Sequence, residues 1–167
     1  MSDAQDEYAA LLSWMKSKGP RERHQIATTW NWDAGYDILT WIIEQKDTDL
    51  GTAVSLFYLG SADYFMKFSN REDVLAKEPW AIENFDFLSR LVQLVSNSEY
   101  YSKAEFSSAW VASSGEIKRY MEAEKAVPAL MRPWSAPARL LAPVSGEDVD
   151  IDGFAEGFPP HIQEQFW

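Results

Sequence analysis

An all-α fold, a compact multi-helix domain of short helices with an irregular acidic C-terminal tail, is predicted by three observations. Apolar residues recur at helical spacing from Tyr8 to Met121. Capping residues, glycines and prolines punctuate that pattern at helix-length intervals. No stretch shows period-2 alternation bounded by hairpin turns, so little or no sheet is expected.

The elements follow in order. Asp3 to Ser17 places Tyr8, Leu11, Leu12 and Met15 on one face, and Lys16, Lys18, Gly19 and Pro20 end that helix. Pro20 opens a second helix to about Thr29, with His24, Ala27 and Trp30 turned inward. Asn31-Trp32-Asp33 interrupts, and Asp33 is expected to cap a third, most buried helix from Ala34 to Gln45, carrying Ile38, Leu39, Trp41, Ile42 and Ile43. Asp49 is expected to cap Leu50 to Leu59, with Gly60 as its C-cap. Ala62 to Phe68 reads as a short aromatic-rich helix, and Asn70 to Pro79 as a loop or brief helix. Phe85, Leu88, Leu91, Val92 and Val95 define a helix from Glu83 to Val95. Ser102-Lys103-Ala104-Glu105 has the form of a capping box and predicts a helix through Phe106 and Trp110. Ser114 is expected to cap Gly115 to Ala126, and four prolines from Pro128 to Pro143 then divide the chain into short pieces.

Composition narrows the function. The 167 residues are 46% hydrophobic and 25% charged, an ordinary globular balance. With 26 acidic and 15 basic residues the net charge is −11, which disfavours nucleic acid and anionic membrane and favours a basic protein partner. The absence of cysteine excludes disulfides, Cys-ligated zinc, Fe–S clusters and a Cys nucleophile. No apolar run approaches the ~20 residues of a membrane span. The acidic start, Met1 to Glu7, lacks a signal peptide's basic and apolar regions, so a cytoplasmic location is expected.

Composition also divides the chain, into a helical domain over 1–142 and a tail over 143–167. The tail holds Glu147, Asp148, Asp150, Asp152, Glu156 and Glu164 and no Lys or Arg, so −6 of the net charge lies in it. It also carries Phe154, Phe158, Phe166 and Trp167. Acids mixed with aromatics suit docking, on the chain's own domain or on a partner. Asp148, Asp150, Asp152, Phe154, Glu156, Phe158 and Trp167 are therefore the candidate partner-binding residues.

Other motifs carry less. Asp148-Val149-Asp150-Ile151-Asp152-Gly153 matches the first half of a calcium loop, but Pro159 stands where a bidentate Glu belongs, so no metal site is assigned. Asp47-Thr48-Asp49-Leu50-Gly51-Thr52 approximates a phosphatase nucleophile loop, but Leu50 spoils the spacing and the segment follows a helix rather than a strand. His24 reads as a packing histidine. Glycine-rich phosphate loops, nucleophile elbows and paired-His metal spacings are missing, so neither catalytic residues nor a cofactor are expected. Of the eight tryptophans, most read as core and some as interface anchors.

His24-Gln25-Ile26-Ala27, Asn31-Trp32-Asp33-Ala34-Gly35 and Asp49-Leu50-Gly51-Thr52-Ala53, followed by Phe57-Tyr58, together resemble a bacterial family, domain of unknown function 4274. The resemblance covers residues about 6–80. It marks Asn31, Trp32, Asp33, Gly35, Asp49, Gly51 and Thr52 as structural motif residues, understood as caps and tight turns. Members often carry a Cys where this chain has Thr48, so any chemistry of that thiol is absent here. The family supplies no catalytic residue. Domains of this kind look like ones found beside toxin genes. With the charge and the missing catalytic motifs, this points to a non-enzymatic immunity protein that neutralises a bacterial toxin. A helical adaptor is the alternative, and a metal-assisted enzyme or a calcium-responsive module stands behind both.

Overall fold

The computed structural model describes residues 3–167. Of the acidic start from Met1 to Glu7, Met1 and Ser2 lie outside the described residues. Eight α-helices are present among the described residues: α1 (Asp3–Lys16), α2 (Pro20–Thr29), α3 (Asp37–Glu44), α4 (Leu50–Leu59), α5 (Arg71–Lys77), α6 (Ile82–Val95), α7 (Ser114–Lys125) and α8 (Pro160–Phe166). Short 3-10 turns fill several of the gaps, at Trp32–Ala34, Ala62–Lys67, Pro79–Ala81, Ala129–Met131 and Ala138–Leu140. Among the described residues the only β-type pairing is two isolated bridges, Phe106 with Glu147 and Ala155 with Phe158.

The most buried helix is α4, not the third helix the sequence suggested. Every residue from Gly51 to Phe57 is buried. Polar Thr52 and Ser55 lie on a face that a purely apolar criterion overlooks. α2 packs along one side of α4 and α6 along another, with α3 and α5 against α6. α7 covers the Ala62–Lys67 turn through Ile117 and Tyr120, and α8 lies against α1.

Caps explain where helices begin, and one expectation is corrected. Asn31, not Asp33, accepts a backbone amide: its side-chain oxygen takes the N–H of Asp33 at 3.0 Å and opens the Trp32–Ala34 turn. Asp33 sits inside that turn and is exposed. Gly35 follows at φ 96°, so α3 starts only at Asp37 and has no side-chain cap. Asp49 caps α4 as expected. Gly60 is its C-cap, and the left-handed residue is Ser61 at φ 58°. Asn70 caps α5, and Ser113, one residue earlier than expected, caps α7.

The helix predicted after Ser102 does not form. Residues 98–113 run as turns and extended chain. The amides a helix would need are held elsewhere: Glu105 and Phe106 donate to Asp49, Ser107 to the Glu147 carbonyl and Ser108 to the Val144 carbonyl. Tertiary acceptors outcompete the local capping pattern here. Just upstream, the Arg139 guanidinium donates to four carbonyls, of Tyr100, Tyr101, Val95 and Asn97, at 2.6–3.2 Å. It thereby satisfies the end of α6, which has no basic residue in its last turn.

The last 25 residues fold back onto the helices, and the tail is irregular only up to Pro159. Val144, Phe158 and Ile162 join the core. Phe158 is held by Tyr8, Trp30 and Trp167, with ring centroids 5.6, 6.1 and 5.8 Å away. Gly157 permits this docking: its φ is 88°, and a Cβ there would stand 2.3 Å from the Trp30 ring.

Candidate functional site

Two layers meet where α2, the start of α4 and the tail come together. The lower layer is a buried polar network built on the motif residues. The Asp49 carboxylate, 1% exposed, accepts the amides of Gly51 at 2.8 Å, Glu105 at 2.7 Å and Phe106 at 3.2 Å. Burial pushes this carboxyl upward from its ordinary range, while the Glu105, Gly51 and Phe106 amides pull it down. The helix dipole at the α4 N-terminus also favours the anion. Asp49 therefore does more than cap a helix, because it ties a segment 56 residues away to that helix start. Gly51 makes the approach possible, since a Cβ there would lie 1.9 Å from the Phe106 carbonyl oxygen.

Beside it, His24 Nδ1 lies 2.8 Å from the Thr52 hydroxyl, and the ring packs 5.3 Å from Phe106. Burial, with the nearby Arg21 charge, lowers the His24 pKa to about 4, so the imidazole is neutral at pH 7. Arg23 is buried and forks onto both Asp47 oxygens at 2.7 and 3.0 Å. Its Nη1 also reaches the Thr48 hydroxyl at 3.1 Å, and that hydroxyl donates to the Ile42 carbonyl at 2.7 Å. The Arg23 hydrogen bond holds the Asp47 carboxyl below the usual range. The carboxylates of this layer and both Arg23 Nη atoms are committed to other parts of the chain, and the Arg23 Nε is buried without a hydrogen-bond partner. The arrangement is that of a lock between α2, α4 and residues 103–108.

The upper layer is the acidic loop 147–156, laid along α2. Arg21 pairs with Glu147 at 2.5 Å, the Gln25 amide donates to the Asp150 carbonyl at 2.7 Å, and the Asn31 amide reaches Glu156 at 3.4 Å. The backbone is fastened at Asp150 by Gln25 and at Glu147 by bonds with Glu105 and Ser107, while the carboxylates of Asp148, Asp150, Asp152 and Glu156 remain exposed and, among the described residues, without a Lys or Arg partner. The Asp150 carboxylate accepts the Asp152 amide at 2.9 Å. Among the described residues no three His, Asp or Glu side chains converge as a metal cluster.

The other candidate residues separate. Phe154 is half-buried, 6.4 Å from Trp14. Phe158, 3% exposed, is occupied by the chain's own core and offers no surface for docking. Trp167 is 63% exposed, and its indole N–H points at Glu7. Trp32 is half-buried and meets Tyr36 and Phe87 edge-on. Sequence reasoning missed Arg23 and Asp47, which carry no local signal as a pair 24 residues apart. It also missed the engagement of Glu105 and Phe106, which it had placed in a helix.

A family described as domain of unknown function (DUF4274) matches residues 18–94. That span holds the whole lower layer except residues 103–108. No curated protein and no solved structure matches the chain.

Proposed function

For a chain whose residues 18–94 match the family DUF4274, we propose a non-catalytic role as a cytoplasmic immunity protein that binds and neutralises a bacterial toxin. The observation that carries the proposal is the ridge of four unpaired carboxylates, Asp148, Asp150, Asp152 and Glu156, on a fastened loop. A preorganised ridge loses little conformational entropy on binding and attracts a basic protein surface from a distance. Phe154, half-buried within the loop, and Trp167, exposed against Glu7, add aromatic surface of the kind that anchors interfaces. The polar network beneath supports the same role, because its groups hold the scaffold rather than face a substrate.

The test is growth rescue. Expression of this chain protects cells producing the toxin encoded beside its gene. The combined variant Asp148→Asn, Asp150→Asn, Asp152→Asn and Glu156→Gln slows association with that toxin and flattens its salt dependence at unchanged melting temperature. Full protection and unaltered binding by this variant would refute the acidic ridge as the contact. Failure to bind or protect against any such toxin would refute the immunity role.

A further inference from the structure

A cleft of about 640 Å³ opens between α1, the Trp30–Ile38 stretch and α6. Two aromatic pairs line it: Tyr8 with Trp30, ring centroids 6.1 Å apart, and Tyr36 with Phe87, 5.8 Å apart. Four ionisable carboxylate or guanidinium groups border it, and they divide cleanly. Arg90 is neutralised by a fork onto Glu44 at 2.5 and 2.9 Å, and Asp86 by a fork from Arg71 at 2.8 and 3.0 Å. Asp37 and Glu83 have no cationic partner among the described residues. The cleft therefore combines the half-buried rings of Tyr8 and Tyr36, backed by buried Trp30 and Phe87, with two uncompensated negative charges and no free positive one. Burial raises the Tyr36 phenol, assisted by Glu83 and Asp33, and burial raises Tyr8, assisted by Glu7 and Glu156.

We propose that this cleft binds a small organic cation, an ammonium or guanidinium carried on an apolar stem. Aromatic faces attract such cations through their quadrupoles, and a carboxylate at the rim supplies the countercharge. The volume falls within the roughly 300–1,000 Å³ of small-molecule sites. A free cation of this kind is the occupant the cleft is assigned, and a side chain of a docked protein is the alternative the test below separates. This site is distinct from the 147–156 ridge, and it stands or falls independently of the immunity role.

Calorimetric titration of the intact chain with phenethylammonium tests the proposal, with neutral 2-phenylethanol as the control of equal shape. One saturable site is expected, with the alcohol at least about tenfold weaker. The surface variant Asp37→Asn with Glu83→Gln weakens the ammonium by about tenfold and leaves the alcohol unchanged. Tyr36→Leu weakens it as well, and Tyr36→Phe restores it because the π face returns. Equal binding of the alcohol, no saturable binding of the ammonium, or indifference to the double carboxylate variant would each overturn the site. A capped arginine tripeptide that binds as tightly as phenethylammonium would overturn the assignment to a free cation.

Discussion

Residues 18–94 and residues 98–167 are stabilised by different means. In the first region local caps open α4 and α5, at Asp49 and Asn70, and the Trp32–Ala34 turn, at Asn31, and helices alternate with short turns. In the second, much of the chain has no helix and takes its shape from distant partners. Glu105 and Phe106 hang from Asp49, Glu147 from Arg21, Asp150 from Gln25 and Phe158 from Trp30. The first region is a self-consistent scaffold, and the second is moulded onto it. The family match ends at residue 94, close to where the mode of construction changes.

Truncation after Pro143 makes the largest break in this comparison. It removes Val144, Phe158 and Ile162 from the core and uncovers Trp30. At about 1.5–3 kcal/mol per buried side chain, the loss approaches the whole stability of a small domain. A large fall in melting temperature is expected, and an unchanged one would show that the moulding contributes nothing.

Asp49→Ala comes next. It strands three amides, in a setting where each unsatisfied buried group costs about 1–3 kcal/mol, so a loss of about 3–5 kcal/mol is expected in urea denaturation. Amide exchange at Glu105 and Phe106 should rise together with that at Gly51. A cost near 1 kcal/mol, the size of an ordinary cap, would mean that the long-range bonds add little.

Acid addresses the His24 link between the two regions. The folded pKa of about 4 lies below the ordinary 6.5, so the unfolded chain binds the proton more readily. Stability is complete above pH 6.5 and falls as the pH drops towards 4, by about 3 kcal/mol in total from this group. His24→Gln should flatten that part of the pH–stability curve, and a curve that keeps its slope would remove His24 as the cause.

The smallest effects sharpen the cap assignment. Asn31→Ala should cost about 1 kcal/mol, and Asp33→Ala should stay within about 0.5 kcal/mol. The reverse order in thermal unfolding would restore Asp33 as the cap.

These contrasts also show why the sequence was legible unevenly. The period of Phe85, Leu88, Leu91, Val92 and Val95 reports a buried face directly, and α6 lies where it was expected. Asp49 was readable as a cap because the Gly51 amide is two residues away, but nothing local announces Glu105 and Phe106 as further donors. Asn31 and Asp33 are equally good caps by chemistry, and the turn closed by Gly35 decides between them. The Ser102–Glu105 pattern failed because a capping box is worth little against four backbone amides taken by tertiary acceptors. The acidic loop was legible as composition. Its fastening along α2 was not, since Arg21, Gln25 and Asn31 sit about 125 residues from their partners.

That separation governs how the molecule is made. Trp30 and Tyr8 leave the ribosome long before Phe158, the residue that covers them. At roughly 5–20 residues per second, their aromatic face stays bare for about ten seconds of synthesis. Contacts this distant along the chain also close slowly once the chain is released. The nascent protein therefore passes through a stage with Tyr8 and Trp30 synthesised and their cover still missing, and ageing of stalled chains ending before Phe158 should show aggregation there.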